Sequence, residues 1–153
     1  MSSTSARILA TIAVALFFFS ASTFAADQNF VGSVKSITGE ASIQRNGAII
    51  PAKVGSHLFK SDTLRTSAGG SMGVILQDGT RISLGSNTEL SVNDFLYQPE
   101  KGQFSLILKL VRGVLAYVSG KIASFSPASV KVETPVGTVG LRGTKFAISL
   151  DGT

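Results

Sequence analysis

The sequence has no cysteine, no tryptophan and a single histidine in 153 residues. Without cysteine there is no disulfide framework, no thiolate zinc site, no iron–sulfur cluster and no thiol nucleophile. One histidine, His57, leaves little from which to build a metal centre or a proton relay. It sits beside a predicted turn and reads as an exposed or locally satisfied side chain. Charge is also sparse. The 14 Lys+Arg and 9 Asp+Glu give a net +5, but the basic residues stand singly, so no polybasic stripe is available to track a phosphate backbone. The acids Glu40, Glu89, Glu100 and Glu133 are scattered, which disfavours a paired-carboxylate hydrolase. The expectation is no catalytic residue, no cofactor, no metal and no nucleic-acid partner.

The first 25 residues are read as an address. Arg7 is the only charge before Asp27, Ile8 to Phe19 is uncharged, and small residues follow at Thr23 and Ala25. A basic start, a short apolar core and small residues before a polar stretch describe a secretory signal peptide cleaved after Ala25. The apolar core is shorter than the roughly 20 residues a bilayer span requires. No cysteine follows it, so a lipobox is excluded, and no later run is long enough to span. The expected location is periplasmic or secreted. The leader takes four of the ten phenylalanines and lowers the net charge from +5 to +4. Residues 26–153 are expected to form one domain, enough for one hydrophobic core.

That remainder reads as short strands. Period-2 alternation recurs between glycines, and no window longer than about 10 residues has helical spacing. Ala41 to Gln44 alternates into Asn46-Gly47, a strong hairpin signal. Ala48 to Val54 returns, with Pro51 marking an edge or a bulge. Met72, Val74 and Leu76 lead into Asp78-Gly79, and Arg81 to Leu84 comes back. Phe104, Leu106, Leu108 and Leu110 share one face, and Arg112-Gly113 is expected to turn the chain into Val114–Val118. Val130 and Val132 oppose Lys131, and Phe146, Ile148 and Leu150 repeat the pattern. A short helical turn fits around Pro99–Gln103 or Lys121–Phe125. The fold class is all-β: stacked short antiparallel strands, solenoid-like or sandwich-like, in one domain.

A weak internal echo accompanies the pattern. Arg65-Thr66-Ser67 precedes Val74 to Thr80, and Glu133-Thr134-Pro135 precedes Ala147 to Thr153. Both end in Asp-Gly-Thr. Two copies are too few for a repeat array, and Asp-Gly-Thr is a common turn in its own right. After Asp78-Gly79-Thr80 a return strand follows, whereas Thr153 is the last residue given. An unpaired edge is normally avoided, so the chain is expected either to be truncated there or to complete that edge with a partner.

Two catalytic look-alikes fail on context. Gly69-Gly70-Ser71-Met72-Gly73 matches the nucleophile elbow by letter, but a strand follows where a helix is needed, and His57 precedes Ser71. Gly137 to Lys145 differs from a phosphate loop in glycine spacing and in placing Thr144 before Lys145.

The motifs together resemble the FecR domain family of bacterial envelope proteins. They are Gly32-Ser33-Val34, Gly39-Glu40-Ala41, Val54-Gly55, Asp62 to Thr66, Leu76 to Thr80 with Ile82-Ser83-Leu84, Arg112-Gly113, Val132 to Pro135, and Val139 to Phe146. The resemblance implies an exported or periplasmic all-β domain. In the best-known members that domain relays a signal from an outer-membrane iron–siderophore receptor to a cytoplasmic sigma factor. Those members place an anti-sigma segment and a membrane span before the domain. Here seven residues precede the apolar core, so a direct anti-sigma role is not expected.

The motif residues are expected to be mainly structural: Asp62, Thr66, Asp78, Gly79, Thr80, Thr134, Pro135, Gly140, Arg142, Gly143 and Thr144. Asp78 and Gly79 supply turn chemistry, and Thr80 and Thr144 suit strand starts. Arg142, between glycines, is the candidate partner contact, or else it meets a carboxylate such as Glu133 or Asp62. The expected function is a non-catalytic envelope interaction module, in signalling or regulation, that binds an envelope protein or a cell-wall component. The alternative is a self-assembling structural or adhesive protein that uses the open edge.

Overall fold

A computed structural model describes residues 29–141 and 143–150. The leader, Arg142 and Asp151-Gly152-Thr153 lie outside the described residues. The alternating segments form twelve strands: β1 (Gly32–Thr38), β2 (Ala41–Arg45), β3 (Ala48–Pro51), β4 (His57–Leu58), β5 (Thr63–Thr66), β6 (Ser71–Leu76), β7 (Arg81–Leu84), β8 (Glu89–Gln98), β9 (Gln103–Val118), β10 (Val130–Thr134), β11 (Gly137–Gly140) and β12 (Lys145–Leu150). One short helix, α1 (Lys121–Phe125), and a 3-10 turn at Pro99–Lys101 fall at the two places expected for helical turns, and a further 3-10 turn at Pro127–Ser129 follows α1. The protein is all-β, a curled and largely antiparallel sheet.

The longest strand, β9, is the spine. Along its first half it pairs with β8, and the sheet continues outward as β5, β2 and β3. Along its second half it pairs with β7, and the sheet continues as β6, β1 and β4. The opposite edge of β9 carries β10, in a parallel pairing, and then β12. The hairpin partner β11 lies outside β10. We call the half containing β8 the first wing and the half containing β7 the second wing.

The division between wings falls at Gly113. Sequence reasoning put a turn at Arg112-Gly113; the chain instead stays in one strand and bends there. Gly113 has φ +91, a conformation that glycine tolerates and side-chain-bearing residues resist. A β-carbon on it would lie 2.3 Å from the Thr88 hydroxyl. That hydroxyl accepts from Val114 N at 2.9 Å, covering the gap where the β8 ladder ends at Glu89↔Arg112 and the β7 ladder begins at Leu84↔Leu115. Bending rather than turning lets one strand serve both wings.

The inward faces meet in one core. Leu64, Leu90, Val92, Leu106, Leu108, Leu110, Val130 and Val132 come from the first wing, and Val34, Met72, Val74, Leu76, Ile82, Leu84, Leu115 and Tyr117 from the second. Leu106, Leu108 and Leu110 are fully buried, as their shared face requires. Each contributes on the order of 2 kcal/mol of burial. β3 is exposed along its length and ends at Pro51, in keeping with an edge.

Candidate functional site

The motif residues gather into hydrogen-bonded nodes. Asp78 is buried at the β6–β7 turn. Its Oδ1 accepts from Thr80 N at 3.0 Å, and its Oδ2 accepts from Thr80 Oγ1 at 2.8 Å and Ile122 N at 3.2 Å. Its carbonyl accepts from Lys121 N at 2.8 Å. One side chain thus closes its own turn and ties α1 to it. Gly120 must be glycine-small, since a β-carbon there would sit 2.3 Å from Thr80 N. Gly79 has φ +85, as its turn role anticipates.

Asp62 is buried just before β5, with Arg45 as its partner. Arg45 Nε donates to Oδ1 at 2.8 Å and Nη2 donates to Oδ2 at 2.7 Å, while Phe59 N donates to Oδ2 at 2.8 Å. Arg45 also lies over the Phe59 ring, 4.4 Å from its centroid, and donates to the His57 carbonyl at 3.0 Å. The hydrogen bond to Asp62 is the main reason the guanidinium holds its proton above the ordinary arginine value, against the opposing cost of burial. Arg142 was the arginine offered for Asp62 from sequence; Arg45 fills that place, and Arg142 lies outside the described residues. Glu133, the other carboxylate considered, accepts from Asn93 Nδ2 at 3.4 Å.

Thr66 is spent internally. Its hydroxyl donates to the Gly85 carbonyl at 2.6 Å and accepts from Thr88 N at 3.0 Å. Thr134 donates to the Gly137 carbonyl at 2.7 Å, closing the β10–β11 hairpin over exposed Pro135. The Gly143 and Thr144 carbonyls accept from Ser119 at 3.1 and 2.8 Å, anchoring the chain before β12. Gly140 ends exposed β11. These contacts do not converge on one place: Asp62 and Thr66 belong to the first wing, Asp78 to Thr80 to the second, and Thr134 to Thr144 to the segment along the far edge of β9.

Sequence reasoning missed four side chains: Arg45, Thr88, Tyr117 and Glu89. Glu89 sits between two arginines, 3.2 Å from Arg65 Nη2 and 3.6 Å from Arg112 Nη2, beside a groove of about 630 Å3 floored by Ser42, Pro51, Arg65 and Arg112. Strand register puts Ser42, Arg65, Glu89 and Arg112 in one row. Tyr117 is buried, and its hydroxyl has no hydrogen-bond partner. Burial pushes the phenol above its ordinary value and the Asp78 carboxylate adds to the rise; Thr80 and Ser119 oppose it, though neither is in hydrogen-bonding geometry. No local signal marks Arg45: its partner Asp62 lies 17 residues on and is brought to it by the pairing of β2 with β5. No group of three or more His, Cys, Asp or Glu with metal-holding geometry occurs among the described residues. No described helix is long and apolar enough to cross a membrane.

A family model described as FecR protein matches residues 62–153. The match begins at Asp62, so the Gly32-Ser33-Val34, Gly39-Glu40-Ala41 and Val54-Gly55 segments fall before it. No match was found among curated proteins or among solved structures.

Proposed function

The chain belongs to the FecR family, which is associated with regulation of signalling across the cell envelope, and from that premise we propose that it is an exported, non-catalytic interaction module. The sequence of the leader supports export to the periplasm or beyond. The observation that carries the interaction role is the β10–β11 hairpin. Thr134 is used to close it, yet Val136 at its tip is 88 % exposed and Val139 on β11 is 39 % exposed. An aliphatic side chain held in water on a closed hairpin costs hydration that a partner surface would recover. The outer edge of β11 has no strand beside it among the described residues, so its backbone groups are open to pairing as well.

The partner class we propose is an envelope protein rather than a cell-wall polymer, because apolar side chains and an open strand edge are recognised by another polypeptide. Crosslinking in intact cells, with a photoreactive residue at position 136, should trap one saturable partner. With the photoreactive residue kept at 136, Val139→Asp on β11 should abolish that product while leaving the urea unfolding midpoint unchanged. Equal crosslinking from a control position such as Asn46, or no adduct at all, would reject the reading.

A further inference from the structure

The two wings differ in charge. Every acid that reaches solvent among the described residues lies on or beside the first wing: Glu40 before β2, Glu89 and Asp94 on β8, Glu100 in the β8–β9 turn and Glu133 on β10. All four ion pairs of the described residues are there too, at Arg45, Lys60, Arg65 and Arg112. The strands of the second wing contain no Asp or Glu; they carry Lys35, Arg81 and Lys145, all exposed.

Register shows how those cations are set. Arg81, Val118 and Lys145 are direct cross-strand neighbours on the outward face, and Ile75 stands on the other side of Arg81. Lys35 lies at the β1 bulge between Val34 and Ser36. Arg81 and Lys145 share a row with one strand between them and stand roughly 10 Å apart; Lys35 lies beyond β6, displaced along β1 from Ser33, where that row meets it. The next row is Gly73, Ser83, Ala116 and Ala147, all small. The long basic side chains therefore stand above a low surface, with Ile75 and Val118 between them.

We infer that the outer face of the second wing docks on an anionic lipid bilayer surface. The spacing decides the class of partner. A compact anion needs cations gathered at one pocket, and these three stand on separate strands of an open face. An extended plane of phosphates meets all three at once. The small residues allow the plane close approach, and the aliphatic stems of Arg81 and Lys145 beside Val118 suit the headgroup boundary.

Each basic residue near such a surface contributes about 1 kcal/mol, a factor of about five in partitioning. The test is cosedimentation of the full chain with vesicles of phosphatidylglycerol and phosphatidylcholine, against phosphatidylcholine alone. The readout is the ratio between the two, which cancels any binding through an apolar segment. Arg81→Gln with Lys145→Gln should lower the ratio by about 25-fold, with Lys109→Gln and Lys131→Gln on the first wing changing it less than twofold. The wild-type ratio should also fall when salt is raised from 0.05 to 0.5 M, a test condition that shrinks the Debye length severalfold. A ratio near one for the wild type, or equal losses from both pairs of substitutions, overturns the proposal. Circular dichroism on both variants confirms that the fold is kept.

Discussion

Asp62 and Asp78 are both buried carboxylates in turn motifs, one in each wing, and they are satisfied in opposite ways. Asp62 faces a full positive charge, the two-pronged guanidinium of Arg45. Asp78 faces no cation; its oxygens are filled by two backbone N–H groups and one hydroxyl. The partners of Asp62 come from β2 and from the loop before β5. Those of Asp78 come from its own turn and from α1. The first arrangement locks a hairpin to the sheet by charge; the second joins two segments 44 residues apart through neutral donors. What separates them energetically is what each leaves behind when removed. Arg45 has 30 % of its side chain exposed and can turn to water. Thr80 N and Ile122 N sit in a buried turn and cannot.

The largest effect is therefore expected at Asp78. Asp78→Ala strands buried donors at the β6–β7 turn and at the first turn of α1, at about 1–3 kcal/mol per group, so a total loss of about 3–4 kcal/mol is expected by urea denaturation. Asp78→Asn retains an acceptor but presents an N–H₂ to one of the donors, and should recover less than half of the loss. Should Asp78→Asn match wild type, the turn does not depend on both oxygens and the contrast drawn above fails.

Asp62→Ala is expected to cost less, about 2 kcal/mol, because the abandoned guanidinium can be solvated and because the Phe59 ring still covers it. Arg45→Ala leaves Asp62 as a buried charge with only Phe59 N to meet it and should cost more than Asp62→Ala. A double-mutant cycle sharpens the point: the coupling between Arg45 and Asp62 should exceed 1 kcal/mol. Coupling near zero would mean that the pair is positioned by the loop and contributes nothing itself.

These nodes show how much could be read from residues alone. The strand pattern was legible because alternation has a period of two and one face is dry: Leu106, Leu108 and Leu110 fell where their spacing put them. The Asp78 turn was legible because Asp-Gly carries its own local geometry, with φ +85 at Gly79. The bend at Gly113 was not, because a glycine permits a turn and a bend equally, and the choice was made by Thr88, which lies on the neighbouring segment. Arg45 was missed for the same reason. A salt bridge over 17 residues depends on which strands become neighbours, and that follows from the β2–β5 pairing rather than from any local signal. Thr66 and Thr134 each end a strand of the first wing, but the chain then crosses to β6 after Thr66 and turns back into β11 after Thr134. Their hydroxyls also make different bonds, to Gly85 across the sheet and to Gly137 within a hairpin.

The smallest effect concerns Tyr117, which reports on the neutral node from the side. Its phenol is buried without a partner, and burial first, then the Asp78 carboxylate, raises its proton affinity. The folded state thus holds this proton more tightly than the unfolded chain, where tyrosine ionises near pH 10. The stability this contributes is fully present below about pH 10 and is lost as pH rises through the higher folded value. Tyr117→Phe removes an unpaired buried hydroxyl, so near pH 7 it should be neutral or stabilising by up to about 1 kcal/mol. Above pH 10 the variant should lose less stability than wild type, seen as a smaller drop in urea midpoint between pH 8 and pH 11. Replacing Asp78 with Asn should weaken the same alkaline drop, because the charge that disfavours the phenolate is gone, whereas Asp62→Asn in the other wing should leave it unchanged. Parallel drops in all four proteins would show that the phenol does not feel the Asp78 node.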